Sequence, residues 1–151
     1  ARGLRILGFA CKKLPPGTVT VAPDDVAGGL VFLGFQCMID PLRKEVLPAV
    51  RACQRAGIQV KMITGDHPGT AVAVARQLNL DPPDFPVLTG RDLAKLSDAE
   101  LVEAVADTAV FARVSPLHKP RLVEAFQARG NIVAMTGDGV NDAPALRRAD
   151  I

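Results

Sequence analysis

A chain of 151 residues, 48% of them hydrophobic, is long enough to bury the core of one α/β-sized domain plus a flanking piece, and too short for two full domains. Its 18 lysines and arginines stand against 16 acidic residues, and the net charge of +2 gives no field that would argue for nucleic acid or an anionic membrane surface. The longest mostly apolar stretch, Gly28 to Ile39, is interrupted by Gln36 and falls short of the roughly 20 residues that cross a bilayer, so this segment is not expected to enter the membrane. Cys11, Cys37 and Cys53 are odd in number and scattered among apolar neighbours, which argues against a disulfide framework and for a reducing compartment. The chain opens on Ala1 rather than methionine and stops at Asp150-Ile151 after a helical run, as expected of a piece of something longer.

In chain order, residues 1–39 read as a flank. Leu4 to Leu14 is mixed apolar and basic, Pro15 to Gly29 is rich in turn formers, and Leu30 to Ile39 is a continuous strand-like run. From Asp40 onward short apolar runs alternate with helical patterns, the signature of βαβ units and a parallel sheet buried on both faces. The periodicity predicts a helix over Lys44–Ala56, with Val46, Val50 and Cys53 on one face, Pro48 near its start and Gly57 closing it. A strand follows at Gln59–Ile63, then a helix over Pro68–Leu78 stopped by Asn79. Thr89-Gly-Arg-Asp92 and Ser97-Asp-Ala-Glu100 are capping boxes that each open a short helix before a strand at Ala109–Ala112. Ser115-Pro116 caps a helix running to Arg129 and ending at Gly130; Ile132–Met135 is the last strand and Asp142–Arg148 the last helix.

Two apolar strands, Lys61-Met-Ile and Val133-Ala-Met, each run directly into Thr-Gly-Asp, at Thr64 to Asp66 and Thr136 to Asp138. Both turns are expected at one edge of the parallel sheet, where open α/β sheets bind ligands and the next helix presents its backbone amides. Asp138, Asn141 and Asp142 then place two carboxylates and a carboxamide at a strand-to-helix turn. Such hard oxygen donors suit Mg²⁺, although the same residues would equally cap the final helix and close a turn.

The whole string Met135-Thr-Gly-Asp-Gly-Val-Asn-Asp-Ala-Pro-Ala-Leu146 resembles the hinge signature of P-type cation-transporting ATPases. So does the order Asp40-Pro-Leu-Arg43, Met62-Ile-Thr-Gly-Asp66, Phe111-Ala-Arg-Val114 and His118-Lys119, together with Gly3-Leu-Arg-Ile-Leu7 in the flank. The likeness covers essentially the entire chain and looks most like the type II pumps, which include the calcium, sodium/potassium and proton ATPases, and among those it is most similar to the calcium pumps.

The resemblance implies a Rossmann-like parallel sheet of the haloacid-dehalogenase type over residues 40–151, a phosphorylation domain, with residues 1–39 as the end of the nucleotide-binding domain inserted into it. It implies ATP as substrate, Mg²⁺ as cofactor, an aspartyl-phosphate intermediate and a place on the cytoplasmic side of a membrane as a soluble part of an integral pump. Carried onto this chain, Asp138 is the Mg²⁺ ligand, Thr64 and Gly65 hold the transferring phosphoryl oxygens, and Lys119 neutralises their charge. Asn141 and Asp142 support the phosphoryl group and the magnesium shell, and Asp40, Arg43 and Asp66 face the nucleotide. Phosphoryl transfer asks a protein mainly for positioning and positive charge, which agrees with these roles. His67 and His118 read as local packing or capping residues, with no third ligand placed to complete a zinc site.

Two departures stand out. Pro120 follows Lys119 in the early helix and removes a backbone donor there. No aspartate is followed by lysine and no Asp-x-Asp occurs, so the nucleophile-bearing strand of the family pattern is absent from the sequence, as are the actuator domain and membrane helices that the rest of a pump would supply. A fragment of a soluble phosphatase of the same superfamily, or a non-catalytic nucleotide-binding module, are the alternative readings. The resemblance also places the nucleophile strand between those ending at Thr64 and Thr136. Its absence predicts that Gln59–Ile63 pairs directly with Ile132–Met135, or that Leu30–Met38 or a second molecule supplies the strand between them.

Overall fold

Residues 4–38, 41–80, 86–137 and 139–151 are described by a computed structural model, and they fall into two units, Leu4–Pro41 and Leu42–Ile151. In the first, strand β1 (Arg5–Cys11) pairs antiparallel with β2 (Val31–Met38), in a register from Arg5 opposite Met38 to Cys11 opposite Val31. The ladder shifts between Phe9 and Ala10, where Gly34 takes φ +149° on the facing strand, a β-bulge of the kind glycine accommodates. The connection is a turn-rich loop with one 3₁₀ turn at Pro23–Val26, tied back by Lys12 Nζ donating to the Asp25 carbonyl at 2.6 Å. Val31–Met38 thus forms a two-stranded ribbon with β1 and is not a strand of the parallel sheet, which corrects that expectation for Leu30–Met38.

The second unit begins with α1 (Val46–Arg55), two residues later than the spacing predicts, and Pro48 falls in its first turn, where a missing N–H breaks no helical bond. Gly57 at φ +77° lets the Ile58 amide reach back to the Cys53 carbonyl at 2.9 Å, a glycine C-cap. After β3 (Met62–Ile63), α2 (Pro68–Leu78) matches its expected bounds: His67 Nδ1 accepts from the Gly69 amide at 3.2 Å, and Asn79 closes the helix in the left-handed conformation. The three-residue strand β4 (Val87–Thr89) leads into α3 (Gly90–Leu93) and α4 (Asp98–Asp107). Both helices open on the expected capping boxes, at Thr89 with Asp92 and at Ser97 with Glu100. Strand β5 (Val110–Ala112) and α5 (His118–Ala128) follow, and a 3₁₀ turn at Val140–Asp142 precedes α6 (Ala143–Arg148).

The sheet is parallel in the order β3-β5-β4. Its centre strand shows why: β5 is fully buried, and its side chains alternate between two helix layers. Val110 and Ala112 pack with Val50, Ala71, Ala75 and Leu78 of α1 and α2. Phe111 points the other way, against Leu101 and Val105 of α4 and Leu122 and Ala125 of α5, and meets the Phe126 ring edge-to-face at 6.2 Å. The α/β class with a parallel sheet is therefore as expected.

The strand expected at Gln59–Ile63 is shorter, because β5 offers a ladder only from Ala109, whose carbonyl accepts from Met62 N at 2.8 Å, to Phe111, whose carbonyl accepts from Thr64 N at 2.9 Å. Ile132–Met135 is not a strand. It lies beside Asp150–Ile151, where the Val133 carbonyl accepts from Ile151 N at 3.3 Å and the Ile151 carbonyl accepts from Met135 N at 3.2 Å, so its backbone finds a partner outside the sheet. Among the described residues Gln59–Ile63 does not pair with Ile132–Met135, and the flank does not supply a strand to this sheet.

Candidate functional site

Parallel strands deliver their carboxyl ends to one edge, and here that edge receives the segments after β3, β4 and β5. The first of these carries Thr64, Gly65 and Asp66. Thr64 is half-buried, while Gly65 and Asp66 are exposed. The Thr64 hydroxyl accepts from the Asp66 amide at 3.1 Å, a side-chain turn that fixes the loop locally. Two backbone bonds fix it globally: Arg113 N donates to the Asp66 carbonyl and Val114 N to the Thr64 carbonyl, each at 3.0 Å.

Arg113 makes the segment after β5 unusual. It holds φ +53°, a left-handed conformation that costs a non-glycine residue roughly 1–2 kcal/mol. Gly90, at the start of α3, lies so close to this turn that a Cβ there would meet the Arg113 carbonyl oxygen at 2.2 Å. Sequence reasoning found the capping box at Thr89 but not this close approach, which joins residues far apart in the chain and leaves no local signature.

Lys119 stands in the first turn of α5 and forms an ion pair with Asp142, the two side chains being only 16% and 12% exposed. Asp142 ends the 3₁₀ turn, its amide donating to the Gly139 carbonyl at 2.9 Å. The other face of its carboxyl group presses on Gly137: a Cβ at that position would meet Oδ2 at 2.6 Å. Lysine, carboxylate and glycine backbone thus interlock, and Gly137 is a wall of the site that the sequence shows only as part of the motif. Pro120 does not disturb this arrangement. It is the third residue of α5, where the helix has no intrahelical use for an N–H.

The remaining candidates are dispersed or out of view. Asn141 and Arg43 are exposed, the latter just ahead of α1, where its carbonyl accepts from Val46 N at 3.1 Å. Asp40 and Asp138 lie outside the described residues. Among the described residues no three carboxylate, histidine or cysteine side chains cluster as ligands for a metal. Mg²⁺ needs only one or two carboxylates beside phosphate and water, so the Asp142 carboxylate and Asn141 carboxamide are a donor set it can use. A shallow apolar groove lined by Phe9, Leu33 and Phe35 lies on the β1-β2 ribbon and contains none of the candidate residues.

Comparison with known proteins adds independent information. A family model described as haloacid dehalogenase-like hydrolase matches residues 15–150. The chain is 54% identical, over 99% of its length, to the cation-transporting ATPase pma1 of Synechocystis, of which it spans 17%. It is 52% identical, over 100% of its length, to the probable cation-transporting ATPase F of Mycobacterium tuberculosis, again spanning 17%. Against calcium-transporting ATPase 1 of Bacillus cereus the identity is 46%, covering 98% of this chain and 16% of that protein. The chain therefore spans about a sixth of the length of these curated relatives.

Proposed function

Because the chain belongs to the haloacid dehalogenase-like hydrolase family, we propose that it is the carboxy-terminal part of the catalytic region of an ATP-driven P-type cation pump. The observation that carries this reading is the contact of Lys119 with Asp142, whose carboxyl group is seated against Gly137, Asp142 and Gly137 both belonging to the string that resembles the pump signature. The relatives named as cation- and calcium-transporting ATPases support it. No helix among the described residues is long and apolar enough to cross a membrane, so the ion path belongs to other parts of the parent protein. The segment works on the cytoplasmic side, with residues 1–39 closing the nucleotide-binding domain and residues 40–151 supplying most of the phosphorylation domain.

In this reading an aspartate carboxylate on another segment of the parent attacks the γ-phosphorus of ATP. The bond from that phosphorus to the bridging oxygen breaks, ADP leaves with the electron pair, and water later cleaves the acyl phosphate to release phosphate. Lys119 offsets the charge on the transferring oxygens and is kept from swinging away by Asp142. Thr64 and Gly65 present a hydroxyl and a backbone amide to the same oxygens. Asp40, Arg43 and Asp66 face the nucleotide. Asp138, with Asn141 and Asp142 in support, holds Mg²⁺, which when bound supplies further positive charge at the phosphoryl group.

The test is phosphoenzyme formation from γ-labelled ATP in the full-length protein. Lys119→Ala is expected to slow labelling by about a hundredfold or more while ATP still binds, and the isolated 151-residue chain is expected to take up no acid-stable label. Wild-type labelling of Lys119→Ala, or a hydroxylamine-sensitive label on the isolated chain, would overturn the reading.

A further inference from the structure

We propose that Arg121 is a positioning residue that sets the direction of Lys119, an inference that rests on the role of Lys119 given above. Helix α5 starts without a side-chain cap, its N-cap residue being Leu117, so the aim of its first turn rests on the core packing of Leu122 and Ala125 further along and on contacts made by its own first-turn side chains. Two side chains on its first turns make such contacts. Residues two apart on a helix project to nearly opposite sides, and Lys119 and Arg121 are such a pair. Lys119 reaches Asp142. Arg121 reaches the joint between α3 and α4 with all three guanidinium nitrogens: Nη1 donates to the Leu93 carbonyl at 2.8 Å, Nη2 to the Leu96 carbonyl, and Nε to Asp98 Oδ1 at 2.7 Å.

The carbonyl bonds dominate. Asp98 is 87% exposed and screened by water, while both carbonyl contacts are partly buried. They satisfy free acceptors at and beyond the end of α3 with a rigid fork that a lysine cannot reproduce. The opposite end of α3 is held just as firmly, because Gly90 abuts the Arg113 carbonyl. Arg113 and Val114 in turn donate to the Asp66 and Thr64 carbonyls. Arg121 thereby closes a circuit from α5 through α3 to the turn leaving β5 and on to the Thr64 loop. Cutting it loosens the first turn of α5 while the core still holds Leu122 and Ala125, and a displacement of about 1 Å at a catalytic group is enough to cost up to a hundredfold in rate.

In the full-length protein, Arg121→Ala is expected to slow phosphoenzyme formation at saturating ATP by about tenfold, with the KM for ATP changed by less than about twofold. Arg121→Lys should fall between Arg121→Ala and wild type, and it reads the same quantity should the alanine variant not fold. Because the effect passes through Lys119, Arg121→Ala should add little further slowing on a Lys119→Arg background. Equal slowing on both backgrounds would mark Arg121 as merely structural and overturn the inference, as would an unchanged rate in Arg121→Ala. If Lys119→Ala itself labels at the wild-type rate, the assignment of Lys119 fails first and the inference falls with it.

Discussion

The turns that open with Thr64-Gly65 and with Thr136-Gly137 have the same sequence after similar apolar runs, but the fold supports them differently. The first leaves a strand laddered to β5, the fully buried centre of the sheet, and its loop is held by backbone bonds from Arg113 and Val114. The second leaves a segment whose Ile132 is 79% exposed and whose partners are Asp150 and Ile151. It depends on side chains arriving from elsewhere: Asp142 against Gly137 and Lys119 against Asp142. The same short string is therefore held by different means in the two places, according to what the preceding run can pair with.

The largest effect should come from removing the support of the first turn. Phe111 is 0% exposed and fills the space between the sheet and helices α4 and α5, so Phe111→Ala is expected to cost about 3–5 kcal/mol. Val133→Ala, at a half-buried position in the second run, should cost about 1 kcal/mol or less. Denaturant midpoints of the two variants measure this directly. A Val133→Ala loss matching that of Phe111→Ala would mean that the second turn is embedded as deeply as the first.

An intermediate effect separates the two glycines. A Cβ at Gly65 would find its nearest neighbour, the Val114 carbonyl oxygen, at 4.0 Å, which is ordinary contact, whereas at Gly137 it would collide with the Asp142 carboxyl group. Gly65→Ala should leave thermal stability unchanged or slightly raised. Gly137→Ala should push Asp142 off Lys119 and cost about 1–3 kcal/mol. Melting curves of both variants, with a crystal structure of Gly137→Ala, would check this. An intact Lys119–Asp142 pair in that structure would show that the glycine wall is dispensable.

Much of the fold is legible in the sequence because its boundaries are local. Asn79 and Gly57 end helices in left-handed conformations, and Thr89 with Asp92 and Ser97 with Glu100 begin them, each through contacts between near neighbours. What escapes is set at a distance. Val87–Thr89 has three residues, too few for a period, and becomes a strand only because β5 lies beside it. Ile132–Met135 has a strand's composition but lacks a sheet partner among the described residues, so composition misleads. At the site, Lys119 and Asp142 stand out through the likeness to a known signature, and the structure brings them into contact. The close approaches of Gly90 to Arg113 and Gly137 to Asp142 are not written in the local sequence, because the neighbour that crowds each glycine is brought to it only by folding.

The smallest expected effect is a difference in pH sensitivity. The Thr64 amide donates to the Phe111 carbonyl, a backbone acceptor that does not titrate. The Val133 amide donates to Asp150 Oδ2 at 2.8 Å, and that bond, followed by a hydrogen bond from Gln127, holds the Asp150 carboxyl below its ordinary value of 3.8. The sign follows from linkage: a depressed value means that folding favours the ionised form, so the contribution is complete above the ordinary value and is lost as pH falls through the lowered one. Acid should therefore loosen the second run while leaving the first in place. Hydrogen exchange of the two amides, each corrected for its intrinsic rate, is expected to show falling protection at Val133 below about pH 3.8 and constant protection at Thr64 until the whole unit unfolds. Asp150→Asn should already have low Val133 protection at neutral pH and no acid step in this range. Protection at Val133 that fell in parallel with that at Thr64, in wild type and variant alike, would mean that the two turns open as one unit and that the contrast between them ends at their sequence neighbours.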